Sequence, residues 1–339
     1  MELPNPSPHF ILTSGRQFSI ALMISALTLL SGCTSLFFHP TKTRYPYLEL
    51  DRLNVEKVEL RSKDGTKLMA WYFKSVENRK ARPEFPTPKD LKPNQTRGLA
   101  LQFHGNAQNI SSHYRFLAWL LYEGWDVMTF DYRGYGDSEG DTSDLKGLLD
   151  DGITAIEWAE SHASKRDLPI VIFGQSLGGN LSLRSLVELD RTQRFPKQLK
   201  LLVIDSSFYS FTSIAREKLS DIWFLWPFQW LGWALVSNTL SAGPALESMQ
   251  TGPTSNSLKQ TQALFLHSLN DPVVSNRQGE KLYASYPGPK ERWTTAEPGH
   301  VNILFAEIKD AIKLPPGSDP ELWPIYFHRE KLKAVLPND

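Results

Sequence analysis

Two hydrophobic patterns alternate along the chain. Residues 98–103, 168–173, 201–204 and 263–267 are short runs, apolar almost throughout and rich in Leu, Ile, Val and Phe. They are too short for helices and read as strands buried on both faces of a parallel sheet. Residues 110–122, 143–162 and 177–189 instead place apolar side chains every three or four positions, which predicts the crossover helices between such strands. Ahead of them, residues 55–61 and 66–73 flank Asp64-Gly65, a hairpin signal. Residues 291–295 add a last short strand, and 301–312 a closing helix. The expected fold is α/β, a mostly parallel central sheet with helices on both faces.

Two stretches interrupt this rhythm. Residues 78–97 carry Pro83, Pro86, Pro88 and Pro93 among charges and read as a surface loop. Residues 206–262, between the sixth and seventh strands, read as a small helical cap. Within it, residues 222–236 hold four of the chain's ten tryptophans. A helix so apolar on all sides is buried, or meets lipid or an apolar ligand. Residues 241–262, rich in Ser, Gly, Pro and Thr, read as a loop returning to the sheet.

Composition narrows the functional classes. The 339 residues carry 37 basic and 37 acidic side chains, with no net charge and no basic block, which argues against nucleic-acid binding. The eight histidines form neither a His-x-x-x-His pair nor a His-Glu-x-x-His motif, so a zinc mechanism has no support and no cofactor is expected. The single cysteine, Cys33, leaves the chain without an intramolecular disulfide.

The chemistry lies at strand ends. Gly174-Gln175-Ser176-Leu177-Gly178 joins the apolar run 168–173 to the helical pattern 177–189. Strand, sharp turn and helix form the context of a nucleophile elbow, in which small glycines let a strained turn lift the serine clear of the strand. A serine nucleophile needs a base, and the base an orienting carboxylate. Asp271 follows the strand 263–267 directly, and His300 follows 291–295 on a Pro-Gly loop. Asp205, at the end of 201–204, is a rival acid. An oxyanion hole takes one amide from the residue after the nucleophile, Leu177, and one from the loop after the strand 98–103. Gly105 lets that backbone fold back and directs the second role to Asn106. His104 precedes the serine and reads as structural.

His-Gly-Asn-Ala at 104–107, the loop from Asp131 to Gly140, the elbow, Asp271 and Pro298-Gly299-His300 together resemble the α/β-hydrolase superfamily over roughly residues 55–312. More narrowly they resemble its membrane-tethered branch of acyl-protein thioesterases and lysolipid or monoacylglycerol hydrolases. The resemblance implies a serine hydrolase acting on an ester or thioester, with Ser176, Asp271 and His300 catalytic and the amides of Asn106 and Leu177 as oxyanion donors. A peptidase of the same fold, or a non-catalytic envelope protein on a hydrolase scaffold, are the alternatives.

The N-terminus carries a second resemblance. Arg16 precedes thirteen mostly apolar residues, 18–30, too few to span a bilayer and enough for a signal-peptide core. Leu30-Ser31-Gly32-Cys33 resembles the lipobox of bacterial lipoproteins. That implies cleavage of residues 1–32, lipidation of Cys33 and a tether over 33–54 leading to a catalytic domain over 55–339. No aspartate follows Cys33, which by analogy favours the outer membrane of a two-membrane cell envelope. Substrate and membrane are the expected partners, with no nucleic acid among them.

Overall fold

The computed structural model describes residues 37–46, 50–81, 88–221, 226–251, 257–301 and Leu336. The signal segment, Cys33 and, apart from Val301, the helix expected over 301–312 lie outside these. Eight strands form one sheet: β1 (Glu56–Arg61), β2 (Lys67–Phe73), β3 (Gly98–Phe103), β4 (Trp125–Phe130), β5 (Ile170–Gln175), β6 (Leu199–Asp205), β7 (Gln262–Ser268) and β8 (Lys290–Thr295). Their order is β1-β2-β4-β3-β5-β6-β7-β8. β2 runs antiparallel to both its neighbours, and β4 to β8 continue with β3 as a parallel set.

The helices are α1 (Ser75–Ala81), α2 (Ile110–His113), α3 (Leu145–Ser164), α4 (Leu177–Arg191), α5 (Phe211–Ser220), α6 (Leu231–Leu235), α7 (Ala242–Thr251), α8 (Ser257–Gln260) and α9 (Asn276–Ser285). Successive side chains of a strand point to opposite faces, so the central strands feed two cores. Leu99, Leu101, Phe103, Ile170 and Ile172 join α3, α4 and α7 on one face. Ala100, Val171, Phe173, Leu201 and Val203 meet residues 110–121 on the other. Arg133, fully buried, ties the frame together by donating to Asp64 in the hairpin and to Asp144 and Asp151 at α3.

Several expected elements take a different form. The helix expected over 110–122 is split into α2 and two 3-10 turns, Tyr114–Phe116 and Ala118–Leu121. Ala118, Trp119, Leu120 and Leu121 are all buried, whereas an α-helix turns four consecutive side chains around its whole girth. The loop expected over 78–97 begins inside α1. The return loop expected over 241–262 contains α7 and α8. Pro244 is the third residue of α7, where the missing N–H is not needed. The run 222–236 is not one helix, because a residue preceding proline avoids the α conformation. Around Pro227 the chain makes a 3-10 turn, Trp226–Phe228, before α6.

Residues 37–46 do not hang free as a linker. Their main chain is pinned to the domain by Asn106, Asn109, Ser111 and Gly136. Phe37 and Phe38 pack on Phe211 of α5 at 5.8 Å between ring centres.

Candidate active site

The register of the sheet assembles the site. Phe103 lies beside Gly174, Gln175 beside Asp205, Asp205 beside Leu266, and Ser268 beside Thr295. The loops leaving β3, β5, β6, β7 and β8 therefore open at one end, the end where parallel sheets hold their ligands.

Ser176 sits between β5 and α4 with φ 51° and ψ −112°, a conformation few non-glycine residues adopt. Its surroundings enforce it. A Cβ on Gly178 would stand 2.0 Å from the Phe103 carbonyl oxygen, and one on Gly174 would stand 2.6 Å from the Gly179 Cα. The Ser176 N–H donates to the Asp205 carbonyl at 2.8 Å, and its own carbonyl accepts from Ser207 Oγ at 2.8 Å. The turn is thus held from the end of β6 on both sides of Ser176.

His300 Nδ1 lies 2.8 Å from Asp271 Oδ2, with the Asp271 side chain fully buried. Asp271 Oδ1 accepts from the amides of Val273 and Val274 at 2.8 and 3.0 Å. Burial pushes the Asp271 carboxyl up, but the His300 hydrogen bond and charge, with the two amides, outweigh it and hold the group below its ordinary value. Asp271 is therefore a carboxylate that accepts, so the His300 proton sits on Nδ1 and leaves Nε2 free to take one. His267 backs the same loop, its Nε2 donating to the Val274 carbonyl at 2.9 Å.

Asp205 does not bond His300. Its Oδ1 accepts from Ser206 Oγ at 3.0 Å, and Oδ2 has no hydrogen-bond partner among the described residues. Burial pushes its pKa up to about 7, against the Ser206 hydrogen bond and the His300 charge. Ser206 has φ 52°, and its hydroxyl accepts from the Val301 amide at 3.1 Å. That contact braces the His300 loop against the end of β6. It was invisible in sequence, where Ser206 is one serine among many.

Asp205 has a consequence for stability. Its folded pKa lies above the unfolded value of 3.8, so its contribution is fully present below about pH 4 and is lost as pH rises towards about 7. Unfolding free energy should decline across that window by at most about 1.4 kcal/mol per pH unit from this group. Asp205→Asn should flatten that part of the profile in urea titrations, and an unchanged slope would show that Asp205 is ionised throughout.

Asn106 and Leu177 line the same cavity as Ser176 and His300. The Asn106 side chain is fully engaged: Oδ1 accepts from the His39 amide and Tyr135 Oη, and Nδ2 donates to the Phe37 carbonyl. The turn after Asn106 is made by Ala107 and Gln108, at φ 61° and 55°, and not by Gly105. His104 is wholly buried behind this loop and outside the cavity lining, its Nδ1 donating to the Gly105 carbonyl at 2.7 Å.

The cavity measures about 650 Å³, within the range of small-molecule sites. Its apolar wall includes Phe37, Phe116, Phe208, Phe211, Ile214 and Val273. The sequence left residues 222–236 as buried packing or as a surface for lipid or an apolar ligand; among the described residues of that run none lines the cavity. The cap contributes α5 instead. Phe37 was also missed, although an aromatic pair inside a polar stretch is itself a packing signal. Among the described residues that line the cavity there is no carboxylate. Elsewhere among the described residues, no group of three or more His, Cys, Asp or Glu side chains is placed to hold a metal.

The strand order, with β2 antiparallel and a strained serine turn between the fifth strand and α4, decides the fold. The chain is an α/β-hydrolase by fold. The family described as "Serine aminopeptidase, S33" matches residues 94–235. The protein YfhR of Salmonella typhimurium is 29% identical over 253 residues, 74% of this chain and 75% of that one. Lysophosphatidylserine lipase ABHD12 of Gallus gallus is 27% identical over 187 residues, 55% of this chain and 46% of its own. Among solved structures, the Pyrococcus furiosus esterase Pf2001 superposes with a TM-score of 0.53 at 16% identity, over 78% of this chain and 89% of that one. A soluble variant of the Saccharomyces cerevisiae monoglyceride lipase gives 0.51 at 17%, over 78% and 92%.

Proposed function

We propose that this α/β-hydrolase is a membrane-anchored serine hydrolase that cleaves carboxylic ester or thioester bonds of substrates with an apolar acyl part. The observation that carries the reading is the 2.8 Å contact of His300 with Asp271, His300 lining the same largely apolar cavity as Ser176. In this reading His300 Nε2 takes the Ser176 hydroxyl proton as Oγ attacks the carbonyl carbon. Asp271 holds the ring and stabilises the imidazolium, and the Leu177 and Asn106 amides receive the oxyanion. The imidazolium then gives its proton to the leaving alcohol or thiol. Water, deprotonated by His300, releases the acid from the acyl-enzyme and regenerates Ser176. The name of the ABHD12 relative supports a lysolipid as one substrate class. The lipobox at Cys33 supports anchoring in a bacterial envelope, and the absence of aspartate at position 34 supports the outer membrane.

The family description favours a second reading, an aminopeptidase. An aminopeptidase must hold a free α-ammonium group, and the described lining of the cavity offers no carboxylate to pair with it. A substrate panel separates the two. Burial of each added CH₂ contributes about 0.8 kcal/mol, so kcat/KM should rise about fourfold per methylene from acetyl esters until the cavity is full. Ile214→Ser should flatten that slope, because Ile214 lines the cavity and is 9% exposed. Turnover of aminoacyl anilides above that of the esters, or preference for acetyl, would replace the proposal.

A further inference from the structure

The large hydrophobic side chains exposed among the described residues are Phe228, Trp230, Trp233, Leu269 and Val273, from 47% to 67% accessible. All five belong to segments that leave the carboxyl ends of two adjacent strands, β6 and β7. The first three lie on the 3-10 turn and α6 of the cap, the other two on the β7–α9 loop that carries Asp271. Val273 also lines the cavity, as does Lys218 of α5. α6 rests on α5, where the Arg216 guanidinium lies 4.3 Å from the Trp233 ring centre. Tryptophan beside a basic side chain is the chemistry of a bilayer interface, where the ring sits at headgroup depth and the cation meets phosphate.

The chain itself points the same way. Phe37 lines the cavity, and its carbonyl is bonded to Asn106. It stands four positions after Cys33, a reach of at most about 14 Å even when fully extended. An acyl group on Cys33 would hold that wall close to the membrane surface, with no slack for the domain to turn away.

We infer that the cavity end of the protein docks on a lipid bilayer, with Phe228, Trp230 and Trp233 in the interface and residues 37–46 as a short strap that presents the mouth to the membrane. The inference rests on the proposed lipidation for its strap and on the exposed cap for its contact face. Substrate then passes from the lipid layer to Ser176 without crossing water, and the aromatic face acts on delivery rather than on bond cleavage.

The test uses the full-length lipidated protein in vesicles of equal parts phosphatidylglycerol and phosphatidylethanolamine. Acylation consumes the single native thiol, so a cysteine introduced by Trp230→Cys or, at the opposite end of the sheet, by Lys197→Cys takes one environment-sensitive fluorophore. The label at 230 should shift to the blue and be quenched by brominated lipid, while the label at 197 stays in water. Both labels in water on a vesicle-bound protein would overturn the docking. So would a label at 230 protected without lipid in a dimer, because the face would then belong to a second copy. Separately, replacing Phe228, Trp230 and Trp233 together by serine should lower turnover of a bilayer-embedded long-chain ester at least tenfold and leave a soluble short-chain ester within about twofold. Equal loss on both esters would mean the face supports folding. Failure to cleave either ester by the unaltered protein would defeat the proposed activity and leave the fluorophore result standing. A Cys33→Ser protein that remains fully vesicle-bound would show that the face alone suffices and overturn the role of the strap.

Discussion

Ser176→Ala should end covalent labelling by a fluorophosphonate probe and lower kcat/KM for a soluble ester by at least about 10⁴-fold. The substitution removes one hydroxyl and leaves the main-chain contacts of the elbow, to the Asp205 carbonyl and from Ser207 Oγ. The thermal midpoint should therefore move by no more than about 3 °C. What activity remains would come from the oxyanion donors and substrate positioning alone. Labelling at the native level in the alanine variant would remove Ser176 from the mechanism.

The second large effect separates two carboxyls at the ends of adjacent strands, Asp205 closing β6 and Asp271 in the loop after β7. Asp271→Asn should reduce kcat/KM by about 10³ to 10⁴, the scale known for the serine-protease triad. An amide nitrogen facing His300 Nδ1 would select the tautomer that cannot take the serine proton. Asp205→Asn should cost less than about tenfold. Asp205 is buried, makes its side-chain contact with Ser206 and is raised towards neutrality, so an uncharged isostere preserves most of what it does. The reverse ranking would transfer the acid role to Asp205 and leave Asp271 as the residue that closes its loop on the Val273 and Val274 amides.

Much of this arrangement could be read in the sequence because the site is built where strands stop. Residues 168–173 and 263–267 announce β5 and β7 by composition, and Ser176 and Asp271 follow them at once. The hairpin was legible from Asp64-Gly65. The cap was read less well, for local reasons. Gly243 and Pro244 suggest a loop, yet Pro244 stands in the first turn of α7, and Leu246 and Met249 bury the helix that follows. Pro227 divides the tryptophan-rich run, a break that could have been read from the residue before it. The remaining gap concerns pairings far apart along the chain. Asn106 with Phe37 and His39, and Ser206 with Val301, span from 67 to 95 positions. No local pattern encodes them, since each partner is an ordinary polar group until the fold brings it to its mate.

The strap also bears on the order in which the molecule forms. Residues 37–46 are bonded to groups from Asn106 to Ser138, 66 to 96 positions later. They gain nothing until β3 and β4 are paired and the loops after them are set. Closing a loop of that length costs more entropy than any local turn, though the cost grows only with the logarithm of length. The cavity wall made by Phe37 is accordingly a late addition to a finished sheet. Because its contacts with the domain are all long-range, it is expected to detach before the sheet does when the protein loosens. A partly opened molecule would keep its Ser176 turn intact while losing the brace on Asn106, and would open at the cavity rather than unfold.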